Sequence, residues 1–239
     1  WTADTAARLT GNETIFTDNW YADRSALLSA VLQRNQTNNV DGFLARPRDT
    51  SGIATEYTYF DSGTPITLIT AASAMVPTNR LVQFADDAGR TLAGMNNPAG
   101  GRVVGDGLYG GNGNDLLQGL GGHDHLEGAG GADRLEGGSG HDTLLGGAGI
   151  DELIGGTDHD VLVGGANSDL RLEGGAGSDW FEGGDGFDNY HLTATDTAVD
   201  TIFDSDNSGR LFVDGTPIGS FTCIQPNLYE STGGLYRMV

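Results

Sequence analysis

Between Gly110 and His191 the apolar positions recur every nine residues, a period that fits neither a lone helix nor a flat strand. The first five copies read GGNGNDLLQ, GLGGHDHLE, GAGGADRLE, GGSGHDTLL and GGAGIDELI. Each begins with glycine, has aspartate sixth and an apolar residue eighth: Leu117, Leu126, Leu135, Leu144, Leu153 and Leu162, then Phe181 and Tyr190. A fixed period of this length marks a solenoid of stacked identical units. Three residues centred on the apolar one, such as Arg134, Leu135 and Glu136, form a minimal strand whose middle side chain points opposite to its neighbours. The six residues GGxGxD are too glycine-rich for a helix or strand interior and turn the chain. Two strands and two turns make one coil, so Leu126 stacks on Leu144 and the leucines of alternate copies face them across a narrow core.

The flanks carry weaker patterns. Asp23 to Asn35 predicts an amphipathic helix, with Ala26, Leu27, Ala30 and Val31 at helical spacing and the polar run Asn35 to Asn39 ending it. Glu56–Phe60 and Pro65–Thr70 predict a hairpin around Asp61-Ser62-Gly63-Thr64. Leu81–Phe84 and Thr91-Leu92 predict short strands, readable as decayed repeats capping the roll. Gly101–Tyr109 is a degenerate first copy, with Asp106 sixth, Leu108 eighth and Val104 in the turn. GGANSDLRLE has ten residues, and its extra residue is expected to bulge one strand and weaken any site at Asp169. Past His191 the glycine density falls. Asp200–Asp204 and Arg210–Val213 predict strands of a β-rich cap, since an open solenoid end exposes core and strand edge. The expected organisation is an α+β region over 1–100, the solenoid over 101–191 and the cap over 192–239.

The fourth position of each copy bears on the turn geometry. It is glycine in seven copies but Asp158 and Asn167 in two. These are the non-glycine residues that best tolerate left-handed backbone angles, so the position is expected to need positive φ.

The sixth position carries the chemistry. The aspartates fall into two columns, one per edge of the coil: Asp115, Asp133, Asp151, Asp169 and Asp188, and Asp124, Asp142, Asp160 and Asp179. Coils stack about 4.8 Å apart, so each column is a ladder of like charges. A hard divalent cation between successive turns resolves the repulsion. Calcium accepts six to eight oxygens in flexible geometry, magnesium demands a tighter octahedron, and the repeat consensus has no thiolate or imidazole for zinc or copper. A disordered Gly/Asp linker would not hold an apolar residue at one phase through so many copies.

Composition narrows the partners. The chain has 239 residues and a formal charge of −21, with 33 acidic residues against 12 basic ones, all arginine. Nucleic acid and anionic membrane surfaces are therefore poor partners. Cys223 is the sole cysteine and allows no internal disulfide. No apolar run is long enough to span a membrane, and no signal-peptide pattern is present. A start at Trp1 rather than Met is expected of a fragment or processed product.

Residues 101–191 resemble the RTX (repeats-in-toxin), hemolysin-type calcium-binding repeat family. The resemblance implies a mainly β fold built on a right-handed parallel β-roll, export by type I secretion machinery, and folding outside the cell on binding several Ca2+ ions. In that family the aspartate side chain and the carbonyls of the first four turn positions ligate calcium between repeats two apart. Carried over, the resemblance implies as ligands Asp106, Asp115, Asp124, Asp133, Asp142, Asp151, Asp160, Asp169, Asp179 and Asp188. The carbonyls so implied are those of Gly111, Gly113, Gly119, Gly121, Gly128, Gly130, Gly137, Gly138, Ser139, Gly140, Gly146, Gly147, Ala148, Gly149, Gly155 and Gly156. Sites would join Asp124 with Asp142 and Asp133 with Asp151. Leu120 and Ala129, second in their copies, are not expected to matter, because a carbonyl ligand is independent of its side chain. DTIFDSDNSGRLFVDG also looks like the segment following such arrays in large secreted proteins, some of which carry lipase-like hydrolase domains.

Two other functions compete. Catalysis by this chain finds little support: there is no GxSxG or HExxH motif, and all five histidines (His123, His125, His141, His159, His191) lie in the repeats as surface residues. Carboxylate pairs such as Asp18 with Asp23 or Asp86 with Asp87 read as acidic surface, so the chain is expected to be the non-catalytic part of a larger protein, with the parent's hydrolase activity left open. An adhesin or surface-layer segment, with host-surface or parent-domain contacts, would present Trp180, Phe181, Phe187 and Tyr190 as an exposed row. The competing expectation is that these four pack between the last coil and the cap.

Overall fold

The computed structural model describes residues 17–38, 57–60, 66–70, 80–96, 105–196, 198–206, 208–218, 221–225, 228–231 and 237–238. The turn at Asp61–Thr64 and the segment holding Val104 lie outside the described residues. The chain is mainly β, with one helix, α1 (Asp18–Asn38), among them.

Two parallel sheets form the body. One contains β3 (Arg80–Phe84), β5 (Gly107–Gly111), β7 (His125–Gly130), β9 (Thr143–Ala148), β11 (Val161–Ala166), β13 (Trp180–Asp185) and β15 (Thr201–Phe203), in that order. The other contains β4 (Thr91–Ala93), β6 (Leu116–Gly121), β8 (Arg134–Ser139), β10 (Glu152–Thr157), β12 (Arg171–Ala176), β14 (Asp188–Leu192) and β16 (Gly209–Val213). Strands adjacent in chain order alternate between the sheets, which is the winding of a β-roll. The hairpin of β1 (Tyr57–Phe60) and β2 (Ile66–Thr70) adds antiparallel strands beside β3. β17 (Thr216–Pro217) closes the second sheet through a turn at Asp214 and Gly215, both at positive φ. A separate three-stranded sheet comprises β18 (Phe221–Gln225), β19 (Leu228–Ser231) and β20 (Arg237–Met238).

The core is the eighth-position stack. Leu108, Leu126, Leu144, Leu162, Phe181 and Ile202 line one sheet, and Leu92, Leu117, Leu135, Leu153, Leu172, Tyr190 and Leu211 the other, in one continuous cluster. From Leu108 to Tyr190 these side chains have no exposed surface. Burying each contributes about 1.5–3 kcal/mol. Leu92 and Ile202 belong to the same stack, so both sheets run beyond 101–191: β3 and β4 are rungs pairing in parallel with β5 and β6, and β15 and β16 add a further coil after His191.

The strands are longer than a three-residue unit. Ladder pairing continues from Glu136 through Gly138 and Ser139, opposite Gly156 and Thr157, so the first three positions of each following copy also belong to the strand. The turn proper is only the fourth to sixth residues. The reason lies at the second position, where positive φ bends the chain without breaking the ladder (Gly138 φ 112°, Gly147 φ 107°).

The ten-residue copy is accommodated without a bulge. β10 and β12 keep unbroken register, Glu152 opposite Arg171 and Leu153 opposite Leu172. The extra residue is Leu170, extruded at the turn and 62% exposed. Its N–H still donates to Asp151 O at 2.9 Å, as the residue after each aspartate does in neighbouring coils.

The helix begins five residues earlier than its apolar spacing implies. Thr17 caps it, its Oγ1 accepting the Trp20 N–H at 3.1 Å. Asp23 therefore sits in the second turn, not at the N-terminus. It is buried, ion-paired with Arg80 and hydrogen-bonded by Tyr109 Oη at 2.7 Å. Leu27 packs with Val82, Phe84 and Tyr109, so α1 covers the outer face of the first rungs.

Candidate metal centre

Each turn places its aspartate side chain against the turn of the preceding coil on the same edge. Asp115 N–H donates to Asp133 Oδ1 (2.7 Å), Asp133 N–H to Asp151 Oδ1 (2.9 Å), Asp151 N–H to Asp169 Oδ1 (3.0 Å) and Asp169 N–H to Asp188 Oδ1 (2.8 Å). On the other edge the chain of bonds runs from Asp106 through Asp124, Asp142, Asp160 and Asp179 to Asp200. The two columns read from the sequence are thus two hydrogen-bonded ladders. Asp169 keeps its place despite the insertion beside it.

One carboxylate oxygen is consumed by the ladder and the other is not. Oδ2 of Asp115, Asp124, Asp133, Asp142, Asp151, Asp160, Asp169, Asp179 and Asp188 is buried with no hydrogen-bond partner. An orphaned buried carboxylate oxygen is costly, and nine in regular succession require a common explanation.

The surroundings supply one. A β-carbon on Gly128 would meet Asp133 Oδ2 at 2.4 Å and the Gly146 carbonyl at 2.7 Å. The same pair of oxygens faces Gly110 (Asp115, Gly128), Gly119 (Asp124, Gly137), Gly137 (Asp142, Gly155), Gly146 (Asp151, Gly164), Gly155 (Asp160, Gly174) and Gly164 (Asp169, Gly183). The first glycine of the repeat is therefore fixed by close approach: a side chain there would fill the cradle that carboxylate and carbonyl share. Of the carbonyls named from the sequence, those of Gly128, Gly137, Gly146 and Gly155 converge on Oδ2 in this way. Those of Ser139 and Ala148 accept ladder bonds from Gly122 and Gly131 N–H. Leu120 and Ala129 carbonyls, and with them the second-position column of Gly138, Gly147 and Gly156, point along the stack at the glycine of the next coil. The fourth-position carbonyls of Gly113 and Gly131 do the same toward Gly131 and Gly149.

Backbone angles at the turn agree with the expectation for the fourth position: Asp158 and Asn167 have φ of 79° and 80°. The second position carries the same requirement. Leu120 and Ala129 have φ of 73° and 78°, a strained conformation for residues with a β-carbon.

Electrostatics oppose an ion-free ladder at neutral pH. Neighbouring carboxylates about 4.8 Å apart repel by roughly 3 kcal/mol per pair at an effective dielectric of about 20. Several such pairs exceed the 5–15 kcal/mol that stabilises an ordinary domain. Burial, followed by column neighbours, pushes Asp124 and Asp169 up to about 8 and Asp133, Asp142 and Asp160 to about 7. Burial also leads at Asp115, Asp151 and Asp188, raised to about 6, with Asp86 and Asp87 adding at Asp115 and Asp204 and Asp206 at Asp188. Without cations the columns hold protons to higher pH than free carboxylates do.

The donor set fits a hard cation. It consists of one free carboxylate oxygen and backbone carbonyls per turn, and among the described residues no three His, Cys, Asp or Glu side chains cluster as a site of their own. An oxygen-only, carbonyl-rich set suits calcium rather than zinc. Asp106 differs from the rest: both its oxygens accept backbone N–H groups, from Leu81 (2.8 Å) and Met95 (2.5 Å). Asp200 and Asp204, which extend the acidic edges past the repeats, were not singled out from sequence.

The aromatic residues do not form a row. Phe181 and Tyr190 are buried in the stack, edge-on with centroids 6.3 Å apart, while Trp180 and Phe187 are each 42% exposed. Three histidines do align: His123, His141 and His159 stack at 4.8 and 5.2 Å along one edge, their Nδ1 atoms accepting N–H bonds from the next coil.

Fold and site define a parallel β-solenoid with a carboxylate–carbonyl cradle repeated on both edges. The family model of the RTX calcium-binding nonapeptide repeat (4 copies) matches residues 109–144, 136–170 and 171–190. The repeat array belongs to the RTX β-roll family and is a calcium-binding module. The match is to a repeat and to no enzyme family. No curated protein and no solved structure matches the chain. No helix among the described residues is long and apolar enough to cross a membrane.

Proposed function

We propose that this chain is a calcium-triggered folding module of a secreted protein, unfolded where calcium is scarce and folded outside the cell. The observation that carries the reading is the series of orphaned Oδ2 atoms from Asp115 to Asp169, each sharing a glycine-lined cradle with a carbonyl from the coil above. Calcium supplies the positive charge and oxygen coordination these atoms lack; the turns hold their oxygens in place, and the leucine stack keeps water from the inner side.

Extracellular calcium modules bind at about 10⁻⁴ to 10⁻³ M, too weakly to fill in a cytosol. Binding to the folded form alone adds directly to folding free energy. Because each aspartate contacts the coil above, filling one turn orders the next, and folding should rise steeply with calcium. Such a module suits export as an unfolded chain by a type I system, with the ordered roll then supporting folding of the parent protein.

Far-UV circular dichroism of the chelated chain, followed by millimolar calcium, tests this. Gain of β-sheet signal on adding calcium is expected; a chelated chain already fully folded contradicts it.

A further inference from the structure

The columns end differently from how they run. From Gly110 to Gly164, each first-position glycine faces the Oδ2 of its own aspartate and a carbonyl from the coil above, while Gly174 faces the Asp179 side chain. At Gly183 the second oxygen is a hydroxyl: a β-carbon there would meet Tyr190 Oη at 2.1 Å and Asp188 Oδ2 at 2.4 Å. Tyr190 stands at the eighth position, where leucine is the rule. Its ring continues the buried stack, and its greater length carries the hydroxyl out of the core and into the turn. Asp204 closes in from the next coil, its Oδ2 2.8 Å and Tyr190 Cε2 2.9 Å from where a β-carbon on Gly209 would sit. Asp188 Oδ2, Asp204 Oδ2 and Tyr190 Oη are all buried, and the Tyr190 hydroxyl stands within hydrogen-bonding reach of the Asp204 carboxylate.

The other column closes at its opposite end. Gly94 faces Asp106 Oδ2 and the Gly119 carbonyl, the same cradle as in the repeats. Here a proton donor is already in place, the Met95 N–H at 2.5 Å from Asp106 Oδ2. Among the sixth-position aspartates from Asp106 to Asp188, Asp106 alone has no orphaned oxygen.

We propose that the chain terminates its own calcium columns with internal proton donors, Met95 N–H on Asp106 and the Tyr190 hydroxyl between Asp188 and Asp204, so that these two rungs take no ion. The inference rests on the calcium reading above and adds where the array stops. A phenol stays neutral to about pH 10 and has one proton to donate while accepting from others. Placed between two carboxylates in a buried turn, it donates its one proton to Asp204 and fills with its own oxygen the place beside Asp188 Oδ2 that a carbonyl takes in the inner rungs, without the six to eight oxygens a calcium ion demands. Leucine at that position would leave the carboxylates facing an open cradle like those of the inner rungs.

The test counts calcium ions bound at saturation, by equilibrium dialysis and atomic emission, in the unaltered chain, Tyr190→Phe and Tyr190→Leu. Tyr190→Phe keeps the ring and removes the oxygen; Tyr190→Leu restores the common residue. Each variant that folds in calcium is expected to bind one ion more than the unaltered chain. An unchanged count overturns the proposal, and so does one ion fewer, which would make the phenol a ligand. A calcium-loaded crystal of the unaltered chain needs no variant: anomalous peaks are expected beside the inner Oδ2 atoms, with none at coordination distance, about 2.3–2.6 Å, from Tyr190 Oη. A peak there refutes the closure alone, whereas an unaltered chain that takes up no calcium refutes the calcium reading itself.

Discussion

Asp133 donates its backbone N–H to Asp151 Oδ1 at 2.9 Å, and the second oxygen of Asp151 is buried without a partner. One side chain thereby does two jobs, tying a coil to the one before it and offering a charged oxygen to a cation. Asp151→Asn separates them, because the amide oxygen can accept the same N–H while the charge is lost. Calcium affinity measured by titration calorimetry should fall by about tenfold or more, the scale on which metal sites respond to a lost partner. Stability in chelator should rise or stay level, since a buried repulsive charge has gone. A variant that binds calcium as tightly as the parent would contradict the assignment.

Stability should depend on pH with opposite signs in the two ionic states. Without calcium the buried aspartates have folded pKa values raised to about 6–8, above the ordinary carboxylate value. The folded chain then holds more protons than the unfolded one, so its stability grows as pH falls and is lost as pH rises toward 8. With calcium the native carboxylates are ionised, and acid displaces the ion. Thermal melts across pH 5–8, a window taken from those shifts, should show the midpoint falling with pH in chelator and rising with pH in calcium. Parallel slopes would contradict this.

Leu120 and Ala129 occupy left-handed backbone angles that cost an L-residue roughly 1–2 kcal/mol. Leu120 is 46% exposed, so little burial is lost on shortening it. Leu120→Gly and Ala129→Gly should each stabilise the calcium-loaded roll by about 1 kcal/mol, read from denaturant unfolding; destabilisation would show that the side chains outweigh the strain. Gly137→Ala should do the reverse and also weaken calcium binding, since its methyl would lie 2.4 Å from Asp142 Oδ2.

Deleting Leu170 restores a nine-residue copy. Arg171 N–H would then take over the bond to Asp151 O, as Arg134 N–H does to Asp115 O. The deletion should leave the calcium-loaded melting temperature within a few degrees of the parent, the scale of a surface change below about 0.5 kcal/mol. Collapse of the fold would mean that Leu170 is held by contacts the turn does not show.

The repeats were legible because one residue type governs each position: leucine stacks, aspartate bridges coils, and glycine permits the turn. Legibility failed where a position served two ends. Glycine at the second position looked like ordinary turn composition, and Leu120 and Ala129 disguised its φ requirement. The N-terminal rungs were read only as decayed, because Leu92 pairs with Leu117 across twenty-five residues rather than eighteen. The helix start was misplaced because its signal is the Thr17 cap, which precedes the apolar spacing. Nor did periodicity show which carbonyls converge on each carboxylate, since every turn residue carries one and only the fold aims them.

Hydrogen–deuterium exchange of the aspartate amides from Asp115 to Asp169, compared in calcium and in chelator at neutral pH, tests the central claim most directly. Every one of these N–H groups donates to the carboxylate of the following coil on its edge. Strong protection in calcium and near-complete loss in chelator is the predicted result. Equal protection in both would contradict the claim, because the ladder would then stand without a cation.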